Sequence, residues 1–219
     1  MASPPALTLI YGGTFDPFHN GHLAIARIAG VALSTPVTLI PAADPPHRPP
    51  PGANAQQRLA MLEAAVAGEP ALRVDRRELD RPGRSYTVDT LRSLRDERGP
   101  DAPLALLLGA DSFLGLPGWH DWEALFALAH FVVADRSGSL VRALPPALAA
   151  MTAARWTESV AALHATPSGK VLCLHQPLHD ISASEVRRRV AAGTPWQALV
   201  PPPVAVFIQA HGLYRATGL

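Results

Sequence analysis

The chain has 219 residues, 48% hydrophobic and 17% charged, which is enough for one sizeable α/β core. A formal net charge of +1 offers no global field for a nucleic acid or an anionic membrane, so any anion site must be built locally. The single cysteine excludes an intramolecular disulfide, and no run reaches the roughly 18 uninterrupted apolar residues of a membrane-spanning helix.

The opening stretch MASPPALTLI has no basic n-region and no long apolar h-region, which predicts a cytoplasmic protein in a reducing compartment. A first strand is predicted at Leu7 to Tyr11, and it runs directly into GGTFDPFHNGH, Gly12 to His22. A nearly uncharged helix follows, from Gly21 to about Leu33. Gly12 and Gly13 have no Cβ, so the backbone there can approach a bulky anion. The helix start beyond offers unpaired N–H groups and the positive end of its dipole. His19 and His22 are spaced to face the same space. Asp16, followed by Pro17, reads as a turn residue that fixes its own loop.

A second strand is predicted at Val37 to Ile40. The Pro-rich loop Asp44 to Ala53 is long for a connection, as lids over a site often are, and it carries His47 and Arg48. A helix over Asn54 to Ala67 starts with Asn54 and Gln57 in capping-box spacing and puts Leu59, Leu62 and Val66 on one face. The next helix, Thr87 to Arg98, takes Thr87 as its N-cap, so the amides near it can receive a carboxylate. Strand Leu104 to Leu108 leads into the loop Gly109 to Trp119. There Trp119, flanked by Gly and Pro, is placed to stack on a flat cationic ring. Tyr86 and Trp122 read as core side chains.

A short helix is predicted over Asp121 to Ala129, with strands at Phe131 to Ala134 and Val171 to Leu174. Cys173, inside the last strand, reads as a small buried hydrophobe. The strands are apolar without alternation, as strands covered on both faces should be. Their alternation with helices predicts a doubly wound parallel α/β sheet, with the loops after the strands gathered at one edge. Helices over Ser182 to Ala192 and Pro203 to Ala210 close the chain. Residues 180–219 read as a C-terminal helical part packed on the sheet, within one domain spanning 1–219. Ser182 and Glu185 have capping-box spacing, and the hydroxyls, free amides and Arg187 of this segment can hold phosphates, with Arg188 and Arg189 adding charge.

The segment His19, Asn20, Gly21, His22 resembles the (T/H)xGH signature of the nucleotidyltransferase superfamily. In its longer form, GGTFDPFHNGH is similar to nicotinate-nucleotide adenylyltransferases. Ile181, Ser182, Ala183, Ser184 and Arg187 resemble the second signature, ISSTxxR, with Ala183 in place of a serine and Ser184 in place of the threonine. PPHR at Pro45 to Arg48, SYTVDTL at Ser85 to Leu91 and GADSFLGLPGWHDW at Gly109 to Trp122 resemble three further segments of that branch. The resemblance runs from Gly12 to Tyr214.

It implies a Rossmann-like fold and transfer of the adenylyl group of ATP to nicotinate mononucleotide, with release of pyrophosphate. It implies that Gly12, Gly13, Thr14 and Phe15, His47 and Arg48, Asp111, Ile181, Ser182 and Ser184 surround ATP. His19, His22 and Arg187 stabilise the transferring phosphates. Ser85, Tyr86, Thr87, Trp119 and His120 surround the mononucleotide, with N–H groups at Thr87 and His120 on its carboxylate and Trp119 on its ring. Mg²⁺ comes carried by ATP, without a protein carboxylate cage. Three other readings stay open at this point. One is a preference for nicotinamide mononucleotide. Another is a non-catalytic nucleotide-binding regulator. The third is a hydrolase with His19, His22 and Asp16 on a metal, for which a third ligand at convincing spacing is missing.

Overall fold

A computed structural model describes residues 6–43, 52–135, 144–175 and 181–216. His47, Arg48 and most of the expected lid lie outside the described residues.

Among the described residues, seven strands form one sheet in the order β3-β2-β1-β4-β5-β7-β6, and every neighbouring pair is parallel. In chain order the elements are β1 (Thr8–Gly13), α1 (Asn20–Ala32), β2 (Val37–Pro41), α2 (Ala55–Val66), β3 (Leu72–Val74), α3 (Arg77–Asp80) and α4 (Thr87–Arg98). There follow β4 (Leu104–Gly109), α5 (Ala110–Leu114), α6 (Leu125–Leu128), β5 (His130–Asp135) and α7 (Pro146–Thr152). The series ends with β6 (Trp156–Thr157), α8 (Val160–Ala165), β7 (Val171–His175), α9 (Ala183–Ala191) and α10 (Pro202–Ala210).

The strands are covered on both faces, which is why they are apolar throughout. Leu9 and Tyr11 of β1, with Leu39 and Leu107, point to one face and pack with α1, α2, α9 and α10 through Ala26, Leu62, Val186 and Ile208. Ile10, between them, points the other way with Ile40, Leu106 and Leu108, into a second cluster with Val88 and Leu91 of α4 and Phe113 of α5. The C-terminal helices therefore share their core with β1 itself. No helix among the described residues is long and apolar enough to cross a membrane.

From β1 the chain winds outward through β2 to β3, then returns to β4 on the other side of β1 and winds outward again. The direction reverses between β1 and β4. In open parallel sheets, the crevice beyond the C-terminal strand ends at such a reversal is where ligands bind.

Several local expectations need correction. The predicted helix over Asp121 to Ala129 is instead a 3-10 turn at Trp122–Ala124 followed by the four-residue α6. Tyr86, not Thr87, is the N-cap of α4, and no side chain caps that helix. Ser182 does cap α9, its hydroxyl accepting from Glu185 N at 3.2 Å. The return half of that capping box is missing, because the Glu185 carboxylate is taken by Arg188 and Arg189 at 2.8 and 2.6 Å. Those hydrogen bonds pull Glu185 down to about 2, and they commit the two arginines that were expected to add free charge. Cys173 is only half-buried.

Candidate active site

His19 and His22 cap helix α1 with each other. His22 N donates to His19 Nδ1 at 3.4 Å, and His19 N donates to His22 Nδ1 at 3.3 Å. This is a capping box made of imidazoles, and it satisfies two N–H groups that a helix start leaves open. The two rings stack with centroids 3.6 Å apart. Because each Nδ1 accepts from a backbone N–H, the proton of each neutral ring sits on Nε2. The cap thus fixes the tautomer and turns two Nε2–H donors away from the helix backbone.

The second signature arrives at the same place. A methyl group on Gly21 would lie 3.0 Å from His19 Nδ1 and 3.5 Å from the carbonyl oxygen of Ile181. Gly21 thus makes room for the His19 ring, and the Ile181 carbonyl lies within van der Waals reach of the same position. Asn20 Nδ2 donates to Ala198 O at 2.9 Å, and Arg187 Nη1 donates to Asp16 O at 2.6 Å. Ser182 and Ser184 present their hydroxyls 3.2 Å apart at the exposed start of α9. Ala183, the first residue of α9, contributes only a methyl.

Asp16 does much more than fix its own turn. It is buried, and its carboxylate accepts from Gly52 N (2.8 Å), Ala53 N (3.0 Å) and the hydroxyl of Tyr214 (2.7 Å). Burial and the adjacent Asp16 charge push the Tyr214 phenol far up, so it stays a donor. Arg187 Nη1 stands 3.6 Å from Asp16 Oδ2. These commitments dispose of Asp16 as a metal ligand beside the two histidines.

Beside this corner lies a cavity of about 320 Å³, at the sheet reversal. Gly12, Gly13 and Thr14 form one wall, and Ser85, Tyr86 and Thr87 another. Asp111, Trp119 and His120 form the third. Three of the segments singled out in the sequence thus converge on one space. At the start of α4, the carbonyl of Tyr86 accepts from Asp89 and Thr90. Among the described residues no acceptor meets the N–H of Thr87, Val88 or His120. A concave site edged by unmet N–H groups at a helix start is suited to a carboxylate. The Tyr86 ring lies over His120, centroids 4.4 Å apart, so it lines the cavity instead of lying wholly within the core. Trp122 meets Phe126 edge-on but is only half-buried, at the margin of the second cluster and not within the core.

Two expected nucleotide contacts have a different local reason. A methyl on Gly13 would come within 2.7 Å of the Phe15 ring, so Gly13 makes room for Phe15, whereas a methyl on Gly12 would meet nothing within 4 Å. Phe15 is buried against Tyr11, Phe18 and His22, which leaves only its backbone for a ligand. Its φ of 50° is a conformation that non-glycine residues seldom hold, and it bends the loop between β1 and α1.

Two charged residues of the site escaped the sequence reading. Arg58 of α2 is 1% exposed and donates to four carbonyls: Thr14 (2.8 Å), Ala42 (2.6 Å), Ala43 (2.9 Å) and Ala53 (3.3 Å). It ties the loop after β1 to the loop after β2. Burial lowers its pKa, and the Asp16 charge opposes that shift. Glu78 of α3 is buried in the cavity wall, and desolvation pushes its carboxyl above the usual range. Neither residue carries a sequence signal: Arg58 sits in an otherwise ordinary helical stretch, and Glu78 on a helix too short to show a pattern.

Among the described residues, one group has the donors for a metal ion: Asp135, Cys173 and His175, at the ends of β5 and β7. A thiol and an imidazole are softer donors than Mg²⁺ selects.

Residues 10–189 match the family described as cytidylyltransferase-like. The probable nicotinate-nucleotide adenylyltransferase of Stenotrophomonas maltophilia (strain K279a) is 58% identical, with 96% of this chain and 98% of the relative covered. That of Xylella fastidiosa (strain 9a5c) is 50% identical, with 96% and 97% covered. Among solved structures, Plasmodium falciparum nicotinic acid mononucleotide adenylyltransferase complexed with NaAD shares the fold, with a TM-score of 0.70 at 16% identity, covering 95% of this chain and 97% of that one. Such identity, sustained over nearly the full length of both sequences, means that the chain belongs to the nicotinate-nucleotide adenylyltransferase family.

Proposed function

We propose that the protein transfers the adenylyl group of ATP to nicotinate mononucleotide, releasing pyrophosphate and forming nicotinate adenine dinucleotide. The observation that carries this reading is the meeting of the imidazole cap with the Ile181 segment, beside a cavity with carboxylate-ready N–H groups and an indole.

The mononucleotide phosphate attacks the α-phosphorus of ATP in line; a new P–O bond forms as the bond to the β-phosphate bridging oxygen breaks. A phosphate oxygen is already nucleophilic at neutral pH, so positioning and charge stabilisation are what the protein must supply. His19 and His22 donate from Nε2 to the α- and β-phosphates. Arg187, with the amides at Ser182, holds the leaving pyrophosphate, and Ser184 and Ile181 border it. Gly12 and Thr14 admit the nucleotide, and Asp111 meets its ribose. Mg²⁺ enters with the triphosphate as part of the substrate. Ser85, Tyr86 and Thr87 frame the acceptor, whose carboxylate takes the Thr87 and His120 N–H groups while its ring stacks on Trp119. We place the enzyme in the cytoplasm.

The test is incubation with ATP, Mg²⁺ and the acid or amide mononucleotide in turn, followed by detection of dinucleotide and pyrophosphate. Faster dinucleotide formation from the acid is expected. Faster turnover of the amide overturns the acid assignment, and ATP binding without pyrophosphate release favours a regulatory module.

Trp119→Ala is expected to raise KM for nicotinate mononucleotide at least about 10-fold, the scale of a desolvated cation–π contact. KM for ATP should change far less. Steady-state kinetics with each substrate varied in turn checks this, and equal effects on both would remove the stacking role.

A further inference from the structure

Glu78 is a buried carboxyl in the wall of the acceptor cavity, and the reaction as written gives it nothing to do. It lies on α3, a helix of four residues that could not hold its own position. Two anchors fix α3 to α4. At one end Arg77 pairs with Asp75 (2.7 Å) and Glu97 (2.8 Å) and donates to Ser93 (3.2 Å). Nearer the start of α4, the neighbouring Glu78 accepts from the Thr90 hydroxyl at 2.6 Å.

The Thr90 hydroxyl is used twice: Thr90 Oγ1 accepts from Arg81 Nη2 at 3.3 Å while it donates to Glu78. Ser85 Oγ accepts from Ala43 N at 2.9 Å. Ser85 and Thr90 flank the first turn of α4, and both line the cavity together with Thr87. Ala43 is the last described residue before the Pro-rich loop. The Glu78 carboxyl thus joins α3 to the first turn of α4 at the wall of the acceptor cavity.

We propose that Glu78 is a positioning residue for the acceptor: through Thr90 it holds the first turn of α4, whose amides receive the substrate carboxylate. The inference rests on the acceptor cavity assigned above. Its requirement is for oxygen acceptors at this position. Glutamine keeps a carbonyl oxygen for the Thr90 hydroxyl, and alanine keeps none. A buried hydroxyl that loses its acceptor turns to another partner, and the first turn of α4 moves with it.

The experiment measures kcat and both KM values for the native enzyme, Glu78→Ala, Glu78→Gln and Thr90→Val. Titrations of each protein with nicotinate mononucleotide, followed by intrinsic tryptophan fluorescence, run in parallel. The native enzyme comes first: if it forms no dinucleotide, the proposed function has failed, whatever the variants do. Given native turnover, Glu78→Ala should raise KM for the mononucleotide about 10-fold, the effect of one lost charge-assisted hydrogen bond, and leave KM for ATP within about twofold. Glu78→Gln should recover most of that loss, and Thr90→Val should show a part of it. The fluorescence titrations should show the same order of affinities. A parallel rise in both KM values, or an unchanged mononucleotide KM, overturns the proposal. If Glu78→Ala does not fold, the comparison of Glu78→Gln with Thr90→Val decides by the same KM split.

Discussion

His22→Ala is expected to lower kcat by more than about 100-fold, the scale of losing one preorganised donor to a developing charge. The imidazole cap explains why no other residue takes over. The His22 ring is held by His19 N on Nδ1, by stacking on His19 and by stacking on Phe18 at 5.5 Å between centroids. A donor fixed in this way needs no reorganisation when charge moves to the bridging oxygen. Alanine also removes one acceptor from the start of α1, at about 1 kcal/mol of stability. The two effects separate cleanly, because the loss in kcat far exceeds what that stability change produces in a folded enzyme. Rapid-quench measurement of dinucleotide formation at saturating substrates reads the chemical step. A variant turning over near the native rate rejects the role given to His22.

Arg58→Met should lower stability by at least about 3 kcal/mol, since each buried carbonyl left without a donor costs about 1–3 kcal/mol. Four carbonyls lose their partner together, and the buried Asp16 loses a compensating charge. For a chain of 219 residues this corresponds to a Tm lower by roughly 6–12 °C. Thermal unfolding followed by circular dichroism checks it, and a fall of less than about 2 °C would show that the carbonyls find other donors. Methionine keeps most of the volume, so a large loss would report the hydrogen bonds and not a cavity.

The parts of the fold written in periodicity were legible. Five of the seven strands are continuous apolar runs, and the structure extends them by only a residue or two at their ends. Asn54 and Gln57 form the capping box that their spacing announced, at 2.9 and 3.0 Å. β3 and β6 have three and two residues, too few for any pattern to rise above a loop. The short helices α3, α5, α7 and α8 fail for the same reason, since one or two turns show no face. In the site, the glycines and histidines were legible because they cluster at a strand end. Arg58, Glu78 and the reach of Asp16 were not. Their partners are backbone groups and hydroxyls brought near by the fold, and a buried charge in a helix reads from sequence as a solvated one. Arg188 and Arg189 misled in the opposite sense, because the acid that neutralises them sits on the same helix.

The hydrogen bond from Tyr214 to Asp16 spans a sequence separation of 198 residues. Asp16 in turn holds Gly52 and Ala53 and sits against Arg187. Such distant pairings are the slowest to close during folding, since loop entropy is lost before they form. The Asp16 carboxylate therefore needs three distant parts of the chain at once, so losing the segment that carries Tyr214 would strip a donor from a group beside the two histidines.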